Sequence, residues 1–145
     1  LENTPIEQVS EHRLLGVTID EEFRWHKHIN NVCKTVSRNL FLLSQLKHYV
    51  ESDARKLFFD AHVLSHINYS SVIWRGASEN CTKKLNSLHR RAIKLISLEN
   101  DFTTDEKMSS LNILPLHKQL QYNLVVFMFK VINGKCPSYL YNNNK

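Results

Sequence analysis

Leu14-Leu15-Gly16-Val17-Thr18-Ile19-Asp20-Glu21-Glu22-Phe23-Arg24-Trp25-His26-Lys27-His28-Ile29 is the stretch on which the fold turns. Leu15, Val17 and Ile19 alternate with Gly16 and Thr18, the period of two expected of a half-buried strand. The acidic run Asp20 to Glu22 predicts a turn, after which Phe23 and Trp25 point one way on a short return segment. From His26 the apolar period becomes that of a helix and stays so for most of the chain. Upstream, Ile6 to Val9 reads as one strand and Leu14 to Ile19 as another, with Ser10 to Arg13 connecting them. A lone hairpin is marginal in water because it cannot bury its own faces. The opening therefore reads as the last piece of a larger sheet and the chain as the end of a larger protein, as Leu1 in place of Met also suggests.

The helical part divides at its caps. A first helix is expected from about His26 to Tyr49, with Ile29, Val32, Val36, Leu40, Leu43 and Leu46 spaced three and four apart on one buried face. Ser52 and Asp53 offer an N-cap for a second, which carries Leu57, Phe58, Ala61 and Leu64 inward and runs on through Tyr69 to Trp74, where Gly76 stops it. Asn80 to Thr82 can cap a third, with the stripe Leu85, Leu88, Ala92, Leu95 and Ile96. Glu99 to Thr104 reads as a loop and Asp105 to Leu111 as a short helix. Pro115 suits the first turn of a last helix, Leu116 to Ile132, ended by Gly134. That helix is apolar on almost every side and is expected to be the central post of the bundle. The resulting organisation is 1–25 as hairpin, 26–100 as a first group of helices, 101–141 as C-terminal helices and 142–145 as a polar tail.

Composition narrows the function classes. Apolar residues make up 42% of the 145, enough for a real core, and three glycines suit helices better than a turn-rich β fold. Nineteen basic against fourteen acidic residues leave +5, an excess that favours a polyanionic partner. Cys33, Cys81 and Cys136 are odd in number and far apart, which points to neither a disulfide framework nor a zinc ribbon but to a reducing, intracellular setting. The longest apolar run, Leu124 to Phe129, is far below the ~20 residues of a membrane helix. The segment Leu1 to Pro5 has neither the basic nor the apolar part of a signal peptide.

Candidate chemistry is thin. Asp20, Asp53, Asp60, Asp101 and Asp105 are isolated in different segments, with no Asp-Asp pair, and Asp20 to Glu22 read as a turn. His62 and His66 share a helix face, yet Val63 stands where a metalloprotease motif requires Glu, and no Cys is close by. No metal ligand, cofactor loop or nucleophile is assigned. The third predicted helix is different: Lys83, Arg90 and Lys94 fall at i, i+7 and i+11 with Lys84 and Arg91 beside them, opposite the leucine stripe. Such a helix can lay its basic face on a phosphate backbone while its apolar face docks on the core, although a solvated basic face is also common. Lys27, Lys34 and Arg38 repeat the spacing on the first helix and are the second choice.

Leu15-Gly16-Val17-x-Ile19-Asp20 followed by Phe23 and Trp25-x-x-His28-Ile29 resembles the end of the palm in reverse transcriptases of LINE-type (non-LTR) retrotransposons. The resemblance continues in order through Asn31-Val32-Cys33-Lys34, Leu42-Leu43-x-x-Leu46, Leu64-Ser65-His66-Ile67-Asn68-Tyr69, Val72-Ile73-Trp74 and Leu85-x-x-Leu88-x-x-Arg91-Ala92-x-x-Leu95-Ile96. It ends with Leu111-x-Ile113-Leu114-Pro115-Leu116 and Pro137-Ser138-Tyr139-Leu140, so it spans about Ile6 to Leu140. It implies a mainly α fold, a thumb-like bundle preceded by a small hairpin. It also implies a chain that grips an RNA–DNA hybrid, or an RNA template with its DNA primer, for a polymerase whose palm and fingers lie outside this sequence. The family's catalytic aspartates, in an aromatic-x-Asp-Asp hairpin that would bind Mg2+ in the whole enzyme, are not in this chain, which is expected to be non-catalytic alone. The expected setting is cytoplasm and nucleus, with no membrane partner. A helical protein-interaction module, or a decayed remnant of the element, is the alternative. The two readings differ in salt response, which is steep for phosphate contacts and shallow for an apolar interface.

Overall fold

The structure is a computed structural model that describes residues 8–99 and 101–140. It is mainly α, with a two-stranded antiparallel hairpin ahead of the helices. Strand β1 (Glu11–Leu14) pairs with β2 (Val17–Asp20) in the register Glu11 to Asp20 through Leu14 to Val17. This corrects the expected strand bounds. Val9 lies in no strand, most of Ser10–Arg13 is strand rather than connection, and Leu15 sits in the turn. Ile6, where the first strand was expected to begin, lies outside the described residues, as does the polar tail Asn142–Lys145. The cause is backbone geometry: Leu15 (φ 47°) and Gly16 (φ 84°) are both left-handed, as a two-residue hairpin turn requires. Phe23 (φ 53°) and Trp25 (φ 64°) are left-handed too, so the return segment is a tight loop and no strand.

Helix α1 (His26–Leu46) buries Ile29, Val32, Val36, Leu40 and Leu43, the expected stripe, while Leu46 remains exposed. The second expected helix is broken into pieces: α2 (Ser52–Phe59), a π-helical turn over Asp60–Leu64, α3 (Ser65–Asn68) and α4 (Ser71–Trp74). Its buried residues Phe59, Val63, Ile67 and Ser71 are spaced four apart. A straight α-helix rotates such a row away from its neighbour by about 40° per step, and the wider π turn takes up the difference. Asn39 of α1 donates its Nδ2 hydrogen to the His62 carbonyl inside that turn at 2.5 Å. Ser70 (φ 51°) makes the corner between α3 and α4, where the Trp74 indole donates to the Tyr69 carbonyl at 3.0 Å.

Helix α5 (Glu79–Ile96) buries Cys81, Leu85, His89, Ala92, Ile93 and Ile96, and its packing on α1 is the most extensive between helices. A capping box of Thr103 and Glu106 starts α6 (Thr104–Ser110). Lys107 of α6 donates its ammonium to the carbonyls of Ser97 and Glu99, just beyond the end of α5. One buried cluster runs from Val17 to Leu120.

The last helix, α7, has the expected span, Leu116–Ile132, and a different place. Only Leu116 and Leu120 are buried; Tyr122, Val125, Met128, Phe129 and Ile132 are exposed. The central pair is α1 and α5, and α7 lies at the periphery, against α4. Asn123 fixes it there, donating to Asn68 Oδ1 and Ser71 Oγ, both at 2.9 Å, and accepting from Gln119 at 3.1 Å. Gly134 (φ 63°) ends the helix with the Lys135 N–H on the Lys130 carbonyl and its own N–H on Val131, a Schellman motif.

Candidate nucleic-acid interface

The hairpin is tied to the helices by three contacts, and these shape a basic hollow. The Thr18 N–H donates to His28 Nδ1 at 3.4 Å, Lys27 pairs with Glu11, and the Tyr69 hydroxyl donates to the Leu15 carbonyl at 2.5 Å. Asp20 holds the loop that leads into α1. Its two carboxylate oxygens accept the N–H groups of Arg24 and Trp25, both at 2.9 Å, and the Arg24 bond leads the causes that keep this carboxyl below its ordinary range.

Between β1, the turn, α1 and α3 lies a hollow of about 420 Å³. Arg13, Lys34, Arg38 and His66 line it, with Asn31, Thr35 and the Tyr69 ring, and no carboxylate does. His28 also lines it; the side chain is buried, and burial lowers its pKa. Because Nδ1 accepts from Thr18, the neutral ring carries its hydrogen on Nε2, which has no protein partner. A second hollow adjoins it on α1, lined by Asn30, Cys33, Lys34, Ser37, Arg38 and Lys84. Lys34 and Arg38 line both, so the two form one cationic stretch from Arg13 to Lys84. Among the described residues no carboxylate lies within ion-pair distance of Lys34, Arg38 or Lys84. Burial pushes the Cys33 thiol up, with the charge of Lys84 opposing, so this cysteine is a poor thiolate beside the basic surface.

The face expected to lead on α5 is arranged differently. Lys83 is paired with Glu79 at 2.9 Å and Arg90 with Asp105 of α6 at 2.8 Å. Exposed pairs of this kind are weak and exchange readily, but each cancels a charge that a phosphate would otherwise meet. Arg91 and Lys94 are exposed, and Lys94 lines a further hollow with Lys47 and His48 near the end of α1. Lys27, the first member of the α1 series, is held by Glu11. The structure thus brings Lys84 to Lys34 and Arg38, whereas Lys83 and Arg90 each meet a carboxylate.

Sequence reasoning missed Arg13 and His66. Neither lies near α1 in the chain, and only the hairpin's attachment and the α3 corner bring them there. It also had no means of removing Arg55 and Lys107 from the pool of free cations. Arg55 donates to the carbonyls of Ile96, Lys47 and Val50 at 2.8, 2.7 and 2.6 Å, closing the ends of α5 and α1.

Both oxygens of Asp20 are engaged by backbone N–H groups, and among the described residues no three His, Cys, Asp or Glu side chains converge. No described helix is long and apolar enough to cross a membrane. Comparison of the chain with known protein families, with curated proteins and with solved structures finds no match in any of the three.

Proposed function

We propose that this chain is the palm end and thumb of a LINE-type RNA-directed DNA polymerase, and that it holds the RNA–DNA template–primer duplex without performing nucleotidyl transfer itself. The observation that supports this best is the carboxylate-free cationic stretch Arg13–Lys34–Arg38–Lys84, which joins the hairpin to α1 and α5. A phosphate backbone offers a row of charges that such a surface neutralises, releasing condensed counterions. Contacts of lysine and arginine to phosphate position a duplex and read little sequence, as suits a polymerase that must accept any template. In this reading Lys34, Arg38 and Lys84 are the primary contacts. Arg91 and Lys94 extend the surface along α5, and Lys83, Arg90 and Lys27 contribute only on leaving Glu79, Asp105 and Glu11.

Fluorescence anisotropy with a labelled 20-base-pair RNA–DNA hybrid, titrated at several salt concentrations, tests this. The triple variant Lys34→Ala, Arg38→Ala, Lys84→Ala is expected to lose about tenfold or more in affinity and to flatten the log–log salt slope by roughly 2–3. Lys83→Ala, Arg90→Ala, Lys94→Ala is expected to lose less. Salt-insensitive binding, or an α1 variant that binds like the parent, would sink the proposal.

A further inference from the structure

Helix α7 carries a second surface, and no residue of it belongs to the basic stretch. Tyr122, Val125, Phe129 and Ile132 are 58, 59, 56 and 77% exposed. They are spaced three, four and three apart, the a/d spacing of a seam that seats one partner helix. Gln121 and Met128 flank it. Tyr122 stands just before Asn123, the residue that fastens α7 to the α3–α4 corner, and Val125, Phe129 and Ile132 follow it; the body of the protein leaves all four exposed.

Charge identifies the occupant. From Lys107 to Lys145 the sequence has no Asp and no Glu. Lys118 stands one seam position before Tyr122, and at the other end the Lys135 ammonium lies 5.7 Å over the centre of the Phe129 ring. The apolar row therefore runs between a cation at each end with no carboxylate along it. A second copy of α7 would set lysines against lysines and is disfavoured. The row is narrow, with Met128 the one exposed apolar side chain of α7 beside it, which suits a helix better than a lipid surface, whose binding uses a broad apolar face. We infer that α7 docks an amphipathic helix of another protein that carries apolar residues at a and d and carboxylates at the flanking positions, one set at each end.

Two labelled synthetic 21-residue helices test this with the full chain. Both carry leucine at a and d; one has glutamate and the other lysine at the flanks. The glutamate peptide is expected to bind at least tenfold more tightly than the lysine peptide. Phe129→Glu and Val125→Glu, both at exposed positions and checked for native helix content by circular dichroism, are expected to abolish that binding. Reversing the end charges with Lys118→Glu and Lys135→Glu is expected to turn the preference toward the lysine peptide. Equal affinity for the two peptides, binding of neither, or binding that survives Phe129→Glu overturns the inference. So does a dimer in sedimentation that Phe129→Glu dissolves, or a preference for phosphatidylserine vesicles over the glutamate peptide.

Discussion

His89 shows how much a single side chain can set. It is fully buried in α5, edge-on to Phe59 with ring centres 5.7 Å apart, and neither ring nitrogen has a hydrogen-bond partner. Burial, with the charge of Arg90 beside it, lowers its pKa from 6.5 to about 4. Between those values the unfolded chain takes up a proton that the folded chain refuses, so stability rises with pH across the window. Acidification from about 6.5 to about 4 is expected to remove on the order of 3 kcal/mol, with His28 adding in the same direction. His89→Leu removes both unbonded nitrogens and its own share of the slope, leaving that of His28. It is expected to raise stability at neutral pH by about 1–2 kcal/mol, read from urea titrations at pH 7 and pH 5. A variant that keeps the full acid slope would show that other groups carry it.

Among the elements, the hairpin depends most on one backbone conformation. All of β1 is exposed, so β2 and the turn must hold it in place. Gly16 has φ 84°, and a Cβ there would meet the Tyr69 ring at 3.6 Å, an ordinary contact. The cost of Gly16→Ala is therefore conformational, about 1 kcal/mol, and should fall on the hairpin alone. Amide exchange would show it as faster exchange in Glu11–Asp20 with α1 and α5 unchanged. Because the hairpin supplies Arg13 to the basic hollow, the same variant should weaken hybrid binding slightly. α5 contrasts with it: most of its stripe was readable from spacing, but its start was not, since the helix begins after Ser78 and not at the cap expected within Asn80–Thr82, and nor was the partner of Arg90. Glu79 lies four residues before Lys83 and was open to inspection, whereas Asp105 reaches Arg90 only through the packing of α6.

For the molecule as a whole, three-four spacing was legible in α1 and in part in α5; in the broken second helix it pointed to Leu57 and Ala61, which are exposed, where Phe59, Val63 and Ile67 are the buried residues. It misplaced α7, because greasiness on every side records a demand for cover and says nothing of whose cover it is. Arg13 and His66 were invisible for a related reason: a surface assembled from a hairpin, a long helix and a corner has no period along the chain. The broken second helix has a further consequence. A π turn is what one extra residue leaves in an α-helix, and here the surplus sits within Asp60–Leu64. Deleting Ala61, which is exposed, would draw Phe59, Val63 and Ile67 into the three-then-four spacing of a regular helix. Such a shortened chain should fold with the same core and lose only the bond from Asn39, about 1 kcal/mol. Removing Ser87 from α5 has no such slack to absorb it, and would swing half a stripe by about 100° into solvent. Length itself is thus unevenly fixed along this protein, negotiable by one residue at the π turn and rigid in α5.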